Sequence, residues 1–229
     1  GNRTSKTQSG YAEHYFVTTE QHKWRYFPTG PHSTFIVGVN FSKYCPSVFE
    51  KKFLTGEQGN PLSPMFPQGG KWLHRYDERR HEIQIACPRC ANAGKASTCP
   101  HPKSTIRLFS DTEGWEVLQG GAYVLGHFDE HIGEDFFNES IQRLQTAGRS
   151  SCLVVTGTPL HGHDAWEHRR LTKIFLEGPP ANRVSPEDSN SAPFVSLHEI
   201  DQFEAGLVPH ERIRMSMKIM DEFEVESRV

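Results

Sequence analysis

The chain has 229 residues, of which 35% are hydrophobic and 23% charged, with a formal net charge of −3. That is enough apolar material for a soluble globular domain with a sizeable core, with one domain carrying an insertion as the simplest organisation. No apolar run is long enough to span a bilayer and no signal peptide is visible, which points to the cytosol, and the net charge excludes any global attraction to nucleic acid.

The N-terminus reads Gly1-Asn2-Arg3-Thr4-Ser5-Lys6-Thr7. In a phosphate-binding loop, successive backbone N–H groups wrap the phosphates, a Lys reaches the outer two, and the next hydroxyl binds Mg²⁺. Lys6 and Thr7 fit those two roles. Gln8 to Glu13 are then expected to begin a helix whose dipole faces the phosphates, with Gly10 a poor residue for a helix start. Ser5 stands where the pattern has its second Gly, and its first Gly would fall before residue 1, so the chain is expected to begin inside the loop. The rival reading is a solvated basic tail.

Further along, Thr34 to Val39 is expected to be a core strand, and the crowding of Gly and Pro between Gly56 and Gly70 predicts a loop. Glu82 to Ile85 and Thr105 to Phe109 alternate polar and apolar residues, as a hairpin would. Its tip carries Cys87-Pro88-Arg89-Cys90 and then Cys99-Pro100-His101. Cys-x-x-Cys followed by Cys-x-His offers Zn²⁺ the four S or N ligands that a tetrahedral site needs. Cys87, Cys90, Cys99 and His101 are therefore the expected ligands of a structural zinc within an insertion at 81–105, with His81 as the alternative fourth ligand. A redox pair and four unrelated loop residues are the rivals. Cys45 and Cys152 are expected as free thiols packed as small apolar groups.

After Gly120-Gly121, the apolar run Ala122 to Phe128 ends in Asp129-Glu130. A buried parallel strand would deliver those carboxylates at its C-terminal edge, where ligands bind in open α/β sheets. Asp129 is then placed to hold Mg²⁺ and Glu130 to polarise an attacking water, the alternative being a surface pair in a turn. Phe137, Ile141 and Leu144 recur at helical spacing, and Ser151 to Val155 is a second apolar strand. This strand–helix–strand unit leads into Thr156-Gly157-Thr158-Pro159, which is either an ordinary turn or a set of hydroxyls that sense a γ-phosphate. Asp164 to Phe175 predicts a helix with a basic side, and Gly178 to Pro193 a loop. The alternation of elements predicts a three-layer α/β domain with a mainly parallel sheet.

In their order and spacing, Gly1 to Thr7, Phe128-Asp129-Glu130 and Thr156 to Gly162 resemble the ATPase domain of the large terminase subunit of tailed bacteriophages. These motifs frame residues 1–162, with 194–229 a looser match to the segment that closes the domain. The resemblance implies a RecA-like P-loop NTPase over residues 1–229, an ATP-driven motor that threads double-stranded DNA into a preformed capsid in the host cytoplasm. It further implies a homo-oligomeric ring working with a small terminase subunit and a portal, and no membrane. By motif, Gly1, Asn2, Arg3, Thr4, Ser5, Lys6 and Thr7 would bind nucleotide, and Thr7 and Asp129 would also hold Mg²⁺. Glu130 would be catalytic, and Thr156, Gly157, Thr158 and Pro159 would couple hydrolysis to movement. Arg107, Arg143, Arg149, Arg169 and Arg170 are eligible to complete the site as an arginine finger. No nuclease set of acidic residues is recognisable, and the chain is expected to end about where that part begins. A helicase-like ATPase and a zinc-stabilised binding module with a decayed nucleotide site remain as alternatives.

Overall fold

The computed structural model of the chain describes residues 6–22, 30–58, 60, 63–146, 151–157 and 166. Two compact units divide the chain, one being Lys6–Gly157 and the other Gly1–Ser5 together with Thr158–Val229. Of the second, Trp166 is described, and it is buried. The rest of the expected basic helix, the loop at 178–193 and the closing segment at 194–229 lie outside the described residues.

The first unit is built on six strands: β1 (Ser33–Gly38), β2 (Leu73–Asp77), β3 (Glu82–Ile85), β4 (Ser104–Ser110), β5 (Leu125–Asp129) and β6 (Cys152–Thr156). Their order across the sheet is β2-β3-β4-β1-β5-β6. Strands β4, β1, β5 and β6 run parallel, while β2 and β3 add an antiparallel edge against β4. The sheet is thus mixed and mostly parallel. The alternating runs at 82–85 and 105–109 are antiparallel neighbours, with Ile85 opposite Ser104. All five residues of β5 are buried, as a strand covered on both faces requires.

Four helices accompany these strands among the described residues: α1 (Lys6–Thr18), α2 (Phe41–Tyr44), α3 (Pro88–Asn92) and α4 (Glu134–Thr146). Asn40 caps α2, its side-chain Oδ1 accepting from the Lys43 N–H at 2.9 Å. The chain then continues from α2 in wider helical turns over Cys45–Phe49 and Lys51–Thr55. Side chains alternate across a strand, so Thr34 and Ile36 of β1 face α1 while Phe35 and Val37 face away. Tyr11 of α1, Phe49 and Phe53 of the helical turns, Ile36, Ile83, Ile106 and Leu108 of the sheet, and Phe66 form the core on the α1 side. Each large side chain buried there contributes about 1.5–3 kcal/mol. Phe66 lies in the Gly- and Pro-rich stretch expected to be only a loop. Its N–H donates to the Phe53 carbonyl at 2.6 Å, which ties that stretch into the core.

Two sequence expectations shift in register. Helix α4 buries Phe136, Glu139, Ser140 and Leu144, while Phe137 and Ile141 are only half-buried. The inward stripe therefore includes a Glu139–Arg143 ion pair one turn apart that apolar spacing does not reveal. Helix α1 begins at Lys6, which places Gly10 inside it. Gly10 is there because of packing: a Cβ at that position would lie 2.2 Å from Cε1 of His127.

Gly10→Ala is accordingly expected to destabilise the protein by about 1–3 kcal/mol through overpacking against His127. Helix propensity alone would favour Ala by about 1 kcal/mol, so the sign of the change separates the two effects. Urea denaturation of the two proteins measures it.

Candidate functional site

The C-terminal ends of β4, β1, β5 and β6 share one edge of the sheet, since Gly38 pairs with Ser110, Val37 with Phe128, and Asp129 with Thr156. At that edge the period of two brings His127 and Asp129 of β5 onto the α1 face, the one from which Thr7 approaches. The Asp129 side chain is buried and receives three hydroxyls. Thr7 Oγ1 donates to Oδ1 at 2.9 Å, Thr156 Oγ1 donates to the same oxygen at 2.9 Å, and the Tyr44 hydroxyl donates to Oδ2 at 2.6 Å. Tyr11 in turn donates to the Tyr44 hydroxyl at 3.0 Å. Hydrogen bonds to a charged group contribute about 1.5–3 kcal/mol each, so this shell offsets the cost of burying the carboxylate. Burial, then the neighbouring Tyr11 and Asp129, raises the Tyr44 pKa well above 10, which keeps Tyr44 a donor.

Glu130 follows immediately with φ at +74°, a left-handed backbone unusual for a non-glycine residue. Its N–H donates to the Thr156 carbonyl at 2.7 Å, fastening the turn after β5 to the end of β6. Holding Glu there costs on the order of 1 kcal/mol, a strain typical of functional turns.

His127 is fixed by the same shell. The single Thr156 proton has Asp129 Oδ1 at 2.9 Å and the Phe128 carbonyl at 3.3 Å as its acceptors, which leaves His127 Nε2 to donate to Thr156 Oγ1 across 2.8 Å. Its Nδ1 is buried without a hydrogen-bond partner. One helical turn beyond Gly10, His14 donates from Nδ1 to Thr34 Oγ1 at 2.9 Å, because Thr34 spends its own proton on the Thr105 carbonyl. The two imidazole rings lie 5.8 Å apart. Both are neutral: burial pushes His127 down to about 4, and burial together with His127 holds His14 well below 6.5.

Of the residues expected to bind nucleotide, Gly1, Asn2, Arg3, Thr4 and Ser5 lie outside the described residues, as does the Lys6 side chain. Thr158 and Pro159 of the expected coupling segment lie outside too, whereas Gly157 is exposed beside the Glu130 backbone. The structure brings Thr7, Asp129 and Thr156 together. Tyr11, Tyr44 and His14 belong to the same cluster but carry no motif that sequence reading could use. Among the eligible arginines, Arg143 pairs with Glu139, and Arg107 lies over the Phe109 ring in mid-strand. Arg149, Arg169 and Arg170 lie outside the described residues.

A second cluster sits on the connection between β3 and β4. Cys87 precedes α3 and Cys90 lies on it, and together with Cys99 they place three thiols within 4.8 Å of one another. The Cys99 and Cys87 sulfurs are 3.8 Å apart. His101 is exposed and its ring is not within that group, although its carbonyl lies 4.0 Å from the Cys99 sulfur. His101 and Cys87 also share the wall of a pocket of about 240 Å³, remote from the Asp129 edge. His81 is not the fourth member: it stacks on Phe41 with centroids 4.5 Å apart and places Nδ1 3.4 Å from the Cys45 sulfur. Cys45 is therefore not packed as a plain apolar group. It also lies 3.6 Å from the Tyr76 hydroxyl and 3.8 Å from Glu50, and burial raises its pKa to about 11.

The chain superposes on the large terminase of a thermophilic bacteriophage. In one crystal form the TM-score is 0.62 at 12% identity, covering 99% of this chain and 45% of the other; in a second it is 0.61 at 11% identity, covering 99% and 44%. The fold is similar to that of part of a large terminase. The same phage protein in complex with ADP matches with a TM-score of 0.50 and 13% identity, over 84% of this chain and 38% of the other. This chain thus spans less than half the length of the structures it matches, and at such identities the likeness is one of fold. No protein-family model matches the sequence, and no curated protein matches it.

The buried histidines set a pH dependence. Below about 6.5 the unfolded chain binds protons at His14 and His127 that the folded state refuses, so stability is full above that pH and declines as pH falls toward about 4. His127 alone accounts for about 3 kcal/mol of that decline. His14→Asn keeps a donor for Thr34 but cannot titrate, and urea denaturation between pH 7 and 4.5 is expected to show a shallower fall than in the parent protein.

Proposed function

We propose that the chain is the nucleotide-hydrolysing part of a DNA-packaging motor, a RecA-like P-loop NTPase of the large-terminase kind that drives double-stranded DNA into a capsid. The observation that carries this reading is the Thr7 hydroxyl on Asp129 at the C-terminal edge of a mostly parallel sheet, with Thr156 on the same carboxylate oxygen. A hydroxyl at the start of a helix, met by a carboxylate at the end of a strand, is the pairing that a phosphate-binding loop and its metal require. In this reading the backbone of Gly1 to Ser5 cradles the phosphates and Lys6 neutralises the outer two. Thr7 and Asp129 are hard oxygen donors suited to Mg²⁺, which when bound would offset charge on the β- and γ-phosphates. Glu130 accepts the proton of the attacking water. Thr156, through Asp129, registers the state of the site and passes it to Gly157, Thr158 and Pro159.

A net charge of −3 leaves DNA contact to a local basic surface, concentrated by a homo-oligomeric ring. A small terminase subunit and a portal complete the assembly in the host cytoplasm. No helix among the described residues is long and apolar enough to cross a membrane.

The test is ATP turnover by the full-length protein with and without double-stranded DNA. Glu130→Ala is expected to lower turnover at least 100-fold while ATP binding survives. Absence of turnover in the folded full-length parent would instead favour a binding module, and strand separation without packaging would favour a helicase-like enzyme.

The thiol cluster we assign to one structural Zn²⁺ held by Cys87, Cys90 and Cys99, with the exposed His101 as the fourth ligand once its ring turns toward the thiols. Metal analysis of the purified protein is expected to find about one zinc per chain. Cys90→Ser should lose it and lower the melting temperature by several degrees, with ATP turnover retained below that temperature. Zinc-free protein with an unchanged melting temperature would end this assignment.

A further inference from the structure

Tyr44 stands outside every motif, yet it makes the shortest of the three bonds to Asp129, at 2.6 Å. Its position is built by the local sequence. β1 ends at Gly38, Asn40 caps α2, and the Tyr44 ring lies back over the strand end where a Gly38 Cβ would meet it at 2.5 Å. Any side chain at Gly38 would displace the ring from Asp129. Behind Tyr44, the Tyr11 hydroxyl donates to it from α1, so both hydroxyls of this buried chain point toward the carboxylate.

The division of labour on Asp129 is informative. Oδ1 takes both threonine hydroxyls, one from the start of α1 and one from β6. Oδ2 takes the tyrosine. Holding Oδ2 fixes the rotation of the carboxyl group and so decides which oxygen faces Thr7 at the start of α1.

We propose that Tyr44, backed by Tyr11, is a positioning residue that presents Asp129 Oδ1 to the metal of the nucleotide complex. The assignment rests on the nucleotide-hydrolysing reading above. It separates orientation of the metal ligand from hydrolysis itself, which belongs to Glu130.

The test is Mn²⁺ binding to the full-length protein in the presence of ATP, followed by electron paramagnetic resonance, together with ATP affinity in the absence of divalent metal. Tyr44→Phe keeps the ring on Gly38 and removes only the hydroxyl. It is expected to weaken Mn²⁺ binding about 10-fold, as loss of a hydrogen bond to a charged group would, while metal-free ATP affinity changes less than about twofold. Excess metal should restore turnover to within about twofold of the parent, an outcome that general destabilisation would not produce. Tyr11→Phe removes the supporting donor and is expected to weaken Mn²⁺ binding about threefold, which carries the test if Tyr44→Phe does not fold. Mn²⁺ titrations of Tyr44→Phe that overlay the parent would overturn the role of Tyr44 and leave the nucleotide reading standing. A parent protein that binds neither ATP nor its metal complex would overturn both.

Discussion

A carboxylate buried at the end of a strand is the constraint on which the rest of this site depends. Asp129 is shielded from solvent and has to be compensated from inside the protein, and its compensation comes as hydroxyls from three separate segments: Thr7 at the start of α1, Tyr44 after β1, and Thr156 at the end of β6. Each of those segments is thereby fixed against β5. The three donors are coupled through one carboxyl group, the two threonines sharing Oδ1 and the tyrosine holding Oδ2. The left-handed turn at Glu130 belongs to the same device, because its N–H closes on the carbonyl of Thr156.

Helix α1 can bring Thr7 to Asp129 only by lying close to β5, and Gly10 permits that approach by leaving room for the His127 ring. The histidine is itself part of the polar shell, donating to Thr156. A larger residue at 10 would push the helix off the sheet and carry Thr7 with it. A single glycine therefore links helix packing to the geometry of the carboxylate. The cost is a pair of buried imidazoles that must stay neutral, which ties the stability of this region to pH.

Much of this could be read in the sequence where the signal is local. The run into Asp129-Glu130, the strand into Thr156 and the hydroxyl of Thr7 stand out because strand ends and loop chemistry are written in consecutive residues. The antiparallel pairing of 82–85 with 105–109 was equally visible as alternation. What was not legible depends on contacts between distant segments. Tyr44 meets Asp129 across 85 positions, and nothing near Tyr44 marks it as other than a core aromatic. Gly10 reads locally as a helix breaker, whereas its reason lies in the ring of His127, on another strand. In α4 the apolar spacing selected Phe137 and Ile141, but the Glu139–Arg143 pair satisfies its own charge and takes up part of the inner face, which turns the helix toward Phe136 and Ser140.

The two clusters of chemistry-bearing residues sit at opposite edges of the sheet, and this bears on what each can do. Asp129 and Thr156 end parallel strands, whereas the thiols precede the first residue of β4, whose last residue, Ser110, marks the Asp129 edge. Seven residues of strand at about 3.3 Å each put roughly 20 Å between the two ends of β4. A metal held by Cys87, Cys90 and Cys99 is therefore too far away to touch a ligand at Asp129. Its effect is confined to the antiparallel edge, where it would close the connection between β3 and β4 and hold Ile85 opposite Ser104. Because β4 is also the neighbour of β1, and β1 leads into Gly38 and Tyr44, the thiol cluster can support the Asp129 site only through the strand register. In the proposed reading such a metal would contribute to stability, and the nucleotide chemistry would belong to the Asp129 edge.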